Sequence, residues 1–144
     1  MAYTINKVDI WSGEIADRVG GLAVKLDPLA DAGANLDVVI ARRQPNQPGQ
    51  GVVFLGPVTG ARAQKAAAPA GLSKTTVLAA LRVEGPNKAG ECRRIARLLA
   101  DAGLNLRGLS AVSLGNKFVA FLAFDNAADA ASAARLLRAG GSRK

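Results

Sequence analysis

The sequence predicts an α+β protein made of two tandem strand–helix–strand–strand–helix modules, each an antiparallel sheet with helices on one face. Three observations predict it. First, Leu29-Ala30-Asp31-Ala32-Gly33-Ala34-Asn35-Leu36 returns as Leu99-Ala100-Asp101-Ala102-Gly103-Leu104-Asn105-Leu106, with seven identities at an offset of 70. Repeats on this scale are the mark of a duplicated supersecondary unit. Second, the same order of apolar periodicities follows in each copy, alternating between strand and helix spacing. Third, the 144 residues are 49% hydrophobic and 21% charged, a globular balance with enough apolar surface for a core.

Each copy opens on a β-branched, apolar run, Lys7 to Gly13 in the first and Thr76 to Val83 in the second, which reads as a buried strand. A glycine turn follows, and there Asp17-Arg18-Val19-Gly20-Gly21-Leu22 lies over Asn87-Lys88-Ala89-Gly90-Glu91-Cys92. Next comes a helical stripe. In the second copy Cys92, Ile95, Leu99 and Ala102 share one face, with Arg93, Arg94, Arg97 and Asp101 opposite. Pro28 lies inside the first copy's helix and predicts a kink or a late start there. Gly33 and Gly103 stand where a left-handed C-cap belongs.

A second strand alternates Leu36, Val38 and Ile40 against Asn35, Asp37 and Val39. It turns back as Gly51–Leu55, or as Phe118–Phe124, through the long Gln44–Gly49 loop in copy one and the tight Gly115-Asn116 turn in copy two. Alanine-rich helices close the copies at about Ala61–Ala68 and Ala127–Ala139, the latter started by Asp125 or Asn126 and stopped by Gly140-Gly141. The boundary between modules falls at residues 1–72 and 73–144. This order is the split β-α-β, ferredoxin-like arrangement. Its last strand is short in copy one (Leu72 to Thr75) and missing in copy two. An incomplete edge favours pairing with another sheet. Phe118–Phe124 is apolar on both faces, so its far side is expected to be covered.

Composition removes several chemistries. There is no histidine and only one cysteine, so imidazole catalysis, Cys/His zinc sites and an intrachain disulfide are excluded. No catalytic constellation, metal site or cofactor motif is visible, and no enzymatic activity is expected. The N-terminus lacks a signal or transit pattern, and no apolar run is long enough to span a membrane, so a cytoplasmic location is expected. The net charge is +8, of which residues 71–144 carry +7, with 12 basic and 5 acidic residues.

The strand, the Asp-Arg-x-Gly-Gly-Leu turn, the amphipathic helix and the Leu-Ala-Asp-Ala-Gly-x-Asn-Leu segment together resemble the ACT domain, over about residues 5–141 as two copies. The family's usual Arg-Pro-Gly is Arg18-Val19-Gly20 in copy one and Lys88-Ala89-Gly90 in copy two. The resemblance implies a small regulatory module that binds amino acids at the interface between two such domains. Carried over by position, it implies ligand contacts from Asp17, Gly20, Gly21, Leu22 and Asn35, and from Asn87, Gly90, Glu91, Cys92 and Asn105. A histidine of serine-sensing members is replaced by Ile15 and Gly85, which argues against serine. A homodimer and a regulated enzyme in trans are the expected partners.

The physical chemistry of these positions agrees. A glycine turn into a helix start offers unbonded N–H groups and a positive dipole end, which suit a carboxylate. Asn35 and Asn105 can donate or accept, so each could hold either end of an amino acid, or simply cap its own backbone. Asp17 and Asn87 read equally as helix N-caps. Cys92 reads as packing and Trp11 as sheet packing or a pocket wall. The rival reading is a basic scaffold or nucleic-acid module of the same fold. Lys117-Phe118-Val119-Ala120-Phe121-Leu122-Ala123-Phe124 matches the RNA-recognition octamer at four positions, but Val119 replaces a stacking aromatic. The arginines fall on the helical face, opposite to the face such domains use. Nucleic acid is therefore not the expected partner.

Overall fold

The computed structural model describes residues 3–141. Its elements run β1 (Thr4–Val8), β2 (Trp11–Ala16), α1 (Gly21–Asp31), β3 (Val38–Arg43), β4 (Gln50–Gly56), α2 (Ala61–Ala67), β5 (Ser73–Lys74), β6 (Ala79–Pro86), α3 (Glu91–Asp101), β7 (Gly108–Leu114), β8 (Lys117–Phe124) and α4 (Ala127–Gly141). They form two compact units. Asp9–Thr75 is one, termed the continuous unit, and the segments on either side of it form the other, termed the split unit. The division places residues 1–8 with the second repeat rather than the first.

The expected opening strand, Lys7 to Gly13, is therefore two strands. Val8 ends one and Trp11 begins the next, and they serve different sheets. β1 runs antiparallel to β6, with Thr4 opposite Glu84 and Val8 opposite Ala80. It is the edge strand of that sheet, giving the order β1-β6-β8-β7. An unpaired edge would leave β6 amides and carbonyls without partners, and β1 satisfies them from within the chain. The continuous unit has the order β3-β4-β2-β5, and its β5 pairs only with Trp11 and Ser12. Both units are antiparallel sheets with two helices, the tandem ferredoxin-like fold.

The split unit's core follows the two periodicities. Phe118, Ala120, Leu122 and Phe124 alternate along β8, and Ala130, Ala133, Ala134 and Leu137 mark one face of α4. Ile95 and Leu99 come from α3, Leu81 and Val83 from β6, Ile5 from β1 and Tyr3 from the position just before it. On the other side of β8, Val119, Phe121 and Ala123 are half-buried. In the continuous unit, Val53 and Leu55 pack with Leu29, Ala63, Ala67, Val58 and Leu72, with Trp11 against the cluster's margin.

The repeated octapeptide builds one device twice. Leu29 and Leu99 are buried, Gly33 and Gly103 adopt φ of +80° and +73°, and Ala34 and Leu104 donate back to the Leu29 and Leu99 carbonyls at 2.9 Å. This is a left-handed C-cap closed by the amide of the residue after the glycine.

Several local expectations change. Pro28 lies well inside α1, which begins at Gly21 and not late. β3 and β7 begin at Val38 and Gly108, so Asn35 and Asn105 lie three residues before the strands. Cys92 is exposed, so the buried stripe of α3 is carried by Ile95 and Leu99. α4 does not stop at Gly140, because the glycine serves packing: a Cβ there would sit 2.9 Å from a Leu98 methyl. Asn126 does cap α4, accepting the Asp129 amide at 2.8 Å.

Ile5→Ala should cost about 2–4 kcal/mol in urea unfolding, since it removes a buried side chain from the strand that closes the sheet. Asn126→Ala should cost about 1 kcal/mol in the same assay through the lost cap.

Candidate functional site

Both strand–helix turns are built alike. Gly20 and Gly90 adopt φ of +83° and +85° and stand at the N-caps of α1 and α3, and no side chain caps either helix. The left-handed region is open to glycine at little cost, which explains the repeated residue. Asp17 and Asn87 are therefore not caps. They tie the turn to the neighbouring hairpin instead. The Asp17 amide donates to the Gly49 carbonyl at 3.0 Å, and its carboxylate pairs with Arg43 at 2.8 Å. The Asn87 amide donates to the Asn116 carbonyl at 2.9 Å, and its side-chain amide to that of Gly115 at 3.3 Å.

In the split unit this arrangement leaves a groove of about 280 Å³ beside the start of α3. Asn87, Gly90, Glu91 and Cys92 line it, four of the five residues expected from the second repeat. Lys88, Arg93, Phe118 and the β7 segment Ala111, Val112 and Ser113 complete it. Asn105 lies outside this groove. The β7 wall carries no local sequence signal, because it reaches the turn through the sheet. Two cations, Lys88 and Arg93, and an uncapped helix start favour an anionic group there.

Glu91 brings a carboxylate to the same lining, and its hydrogen bonding fixes where that charge sits. The Tyr3 hydroxyl donates to its carboxylate, and the Arg94 guanidinium lies over the Tyr3 ring at 5.6 Å. Arg94 also donates to the Tyr3 oxygen at 3.5 Å and to the Gly140 carbonyl. Tyr3 is buried edge-on against Phe118, with ring centroids 6.0 Å apart at 81°. Burial and the Glu91 carboxylate together push its phenol up to about 12.

Of Asp17, Gly20, Gly21, Leu22 and Asn35, only Gly21 lines the larger groove of about 410 Å³ between β2, α1 and the Pro69-Ala70 segment. Asn35 and Asn105 are exposed, and neither side chain bonds to another group among the described residues.

The charge excess divides by face. On the sheet of the split unit, Glu84 pairs with Lys117 at 3.0 Å and Arg82 at 3.1 Å, and those two cations hold its carboxyl below the usual range. Arg107 pairs with Asp125 at 3.4 Å. On the helices, Arg93, Arg94 and Arg97 line a groove of about 270 Å³ that contains no carboxylate. The octamer that resembles an RNA-binding strand buries Phe118 and Phe124 under the helices and leaves only Phe121 half-exposed. No stacking platform results. Among the described residues no helix is long and apolar enough to cross a membrane.

Neither a protein-family model nor a curated protein matches the sequence. Solved structures do match. A Bacteroides thetaiotaomicron protein superposes with a TM-score of 0.77 at 14% identity, covering 94% of this chain and 89% of that one. The ligand-free regulatory subunit of aspartate kinase from Thermus thermophilus gives 0.67 at 16% identity, covering 97% of both chains. The corresponding subunit from Thermus flavus gives 0.64 at 18% identity over 97% of both. The fold is the tandem ACT-type arrangement, and these aspartate kinase neighbours are regulatory subunits rather than catalytic ones.

Tyr3 is the chain's single tyrosine, so absorbance at 295 nm reports its ionisation alone. The folded protein should titrate with a midpoint near 12, falling to about 10 in denaturant. A folded phenol pKa above the unfolded one adds stability below pH ~10 that is lost as pH rises toward the folded value. Tyr3→Phe should remove that part of the alkaline stability loss.

Proposed function

We propose that the protein is a regulatory module that binds a small amino acid in the groove at the β6–α3 turn and signals through the tandem fold. The observation that carries this reading is the convergence of Asn87, Gly90, Glu91 and Cys92 on one groove with Lys88 and Arg93. An uncapped helix start and two cations supply a carboxylate site, and Asn87 and Ser113 bring polar atoms for the ammonium end. The structural likeness to aspartate kinase regulatory subunits supports a regulatory rather than an enzymatic role. A second copy of the chain and an enzyme regulated in trans belong to the same proposal. Leu109, Val112 and Leu114, exposed at 40%, 64% and 74% on the edge strand β7, support an interface there.

Mechanistically, a ligand shifts the protein only by binding one arrangement more tightly than another. The turn is suited to this, because Asn87 joins it to the β7–β8 hairpin and Glu91 joins it to β1 through Tyr3.

A thermal-shift screen of the twenty amino acids tests the proposal. One of them at 100 times its Kd should add about 2.7 kcal/mol of stability. Ser113→Trp, an exposed change on the groove wall, should abolish that shift while leaving the unliganded protein folded. No shift from any amino acid, or a shift unchanged by Ser113→Trp, overturns the assignment.

A further inference from the structure

The larger groove, of about 410 Å³ in the continuous unit, corresponds to a place that the split unit fills with its own tyrosine. Tyr3 rests against Gly85, where a Cβ would fall 2.6 Å from the ring, and against Glu91 and Arg94. At the repeat offset of 70, these three positions are Ile15, Gly21 and Val24. All three line the groove of the continuous unit.

The cross-strand partners have exchanged sizes. Gly85 lies opposite Phe118 in one sheet, and Ile15 lies opposite Gly51 in the other. A Cβ at Gly51 would fall 2.9 Å from Ile15 Cγ1, so isoleucine occupies the space that phenylalanine takes in the other copy. Among the described residues no aromatic side chain takes the place of Tyr3 in that lining. β1 pairs with β6 over five residues, whereas β5 pairs with β2 only at Trp11 and Ser12, leaving Glu14–Ala16 to form one wall of the groove.

The lining suits one kind of ligand. Ile15, Val24, Pro28 and Pro69 present apolar walls, and Arg18 and Lys25 add two cations against the single carboxylate of Glu14. The Lys25 ammonium donates to the Ala70 carbonyl at 2.5 Å, and an ammonium has further N–H groups to offer. The Arg18 guanidinium has no partner among the described residues. We infer that this groove binds an aromatic carboxylate, its ring lying where the Tyr3 ring lies in the split unit and its carboxylate between Arg18 and Lys25. This extends the ligand-sensing reading to a second site, and it rests on that reading only for what the binding would regulate.

The test is calorimetric titration of the full chain with 3-phenylpropionate, which has the ring and carboxylate but no α-amino group, and with L-phenylalanine. Saturable binding of 3-phenylpropionate is expected. Val24→Trp, which fills the groove from a position 61% exposed, should abolish it, and Arg18→Ser should weaken it about tenfold. Circular dichroism confirms that both variants fold. Ser113→Trp, in the other unit, should leave the binding unchanged. Absence of saturable binding to the wild type overturns the inference, as does binding that survives Val24→Trp or is lost with Ser113→Trp. An aliphatic amino acid that binds only when Ser113 is intact, with 3-phenylpropionate inert, would sink this inference and leave the proposed function standing. The opposite pattern would do the reverse.

Discussion

Antiparallel pairing of β1 with β6 is the contact on which the split unit depends. Five residue pairs close the sheet from Thr4 to Val8, and Arg138 of α4 donates to the Ile5 carbonyl at 3.2 Å from the helical layer. Without this strand, β6 would be an exposed edge and the core would lose Tyr3 and Ile5. The cost is topological. Residues about 80 apart in sequence must meet before that unit is complete, and long loop closure slows folding more than it reduces stability. The continuous unit, with its contacts inside Asp9–Thr75, has no such requirement.

The two copies show how a duplicated scaffold diverges without losing its geometry. The helix endings are identical in kind, with a buried leucine, a left-handed glycine and a returning amide. Each first helix also sends a cation to a carbonyl near the end of the second: Arg94 to Gly140, and Lys25 to Ala70. Around these fixed points the interior has been exchanged in compensating pairs. Gly85 with Phe118 in one copy and Ile15 with Gly51 in the other keep the local volume similar. Volume-conserving exchange is the change that cores tolerate best. What does not compensate is Tyr3, which has no aromatic counterpart in the lining of the continuous unit's groove.

Local pattern made most of the fold legible, because the period-two run of β8 and the period-3.6 runs of α3 and α4 depend on neighbours in sequence. The octapeptide repeat was informative for the same reason, since a C-cap is a local structure. β1 was not legible as a separate strand. Lys7, Val8, Trp11 and Gly13 make one continuous extended pattern, and which sheet each half joins depends on partners elsewhere in the chain. The site divided along the same line. Gly20 and Gly90 could be placed from the turn they form, but Asp17 and Asn87 were read as caps when their partners lie in the hairpins. The β7 wall of the groove, and the role of Tyr3 in occupying Glu91, required the tertiary contact to be seen.

The uneven charge gains a physical meaning from this arrangement. Moving residues 1–8 into the split unit and 71–75 out of it exchanges Lys7 for Lys74, so the split unit keeps +7. Its sheet-side cations are matched by Glu84 and Asp125, and Glu91 is hydrogen-bonded by Tyr3. Among the described residues, part of the excess lies along α3, with Arg93, Arg94 and Arg97. Like charges at this spacing disfavour the helix by a few tenths of a kcal/mol per pair, so the helix itself gains nothing from them. At physiological salt such a field is screened over about 8 Å. It cannot act on distant parts of the fold, but it reaches the adjoining groove, which shares Gly90 and Arg93 with this patch. An anion entering that groove meets a positive helix start together with the Lys88 and Arg93 cations, with the Glu91 carboxylate hydrogen-bonded by Tyr3 in the same lining. The same strand that completes the sheet thus also sets the electrostatics of the site.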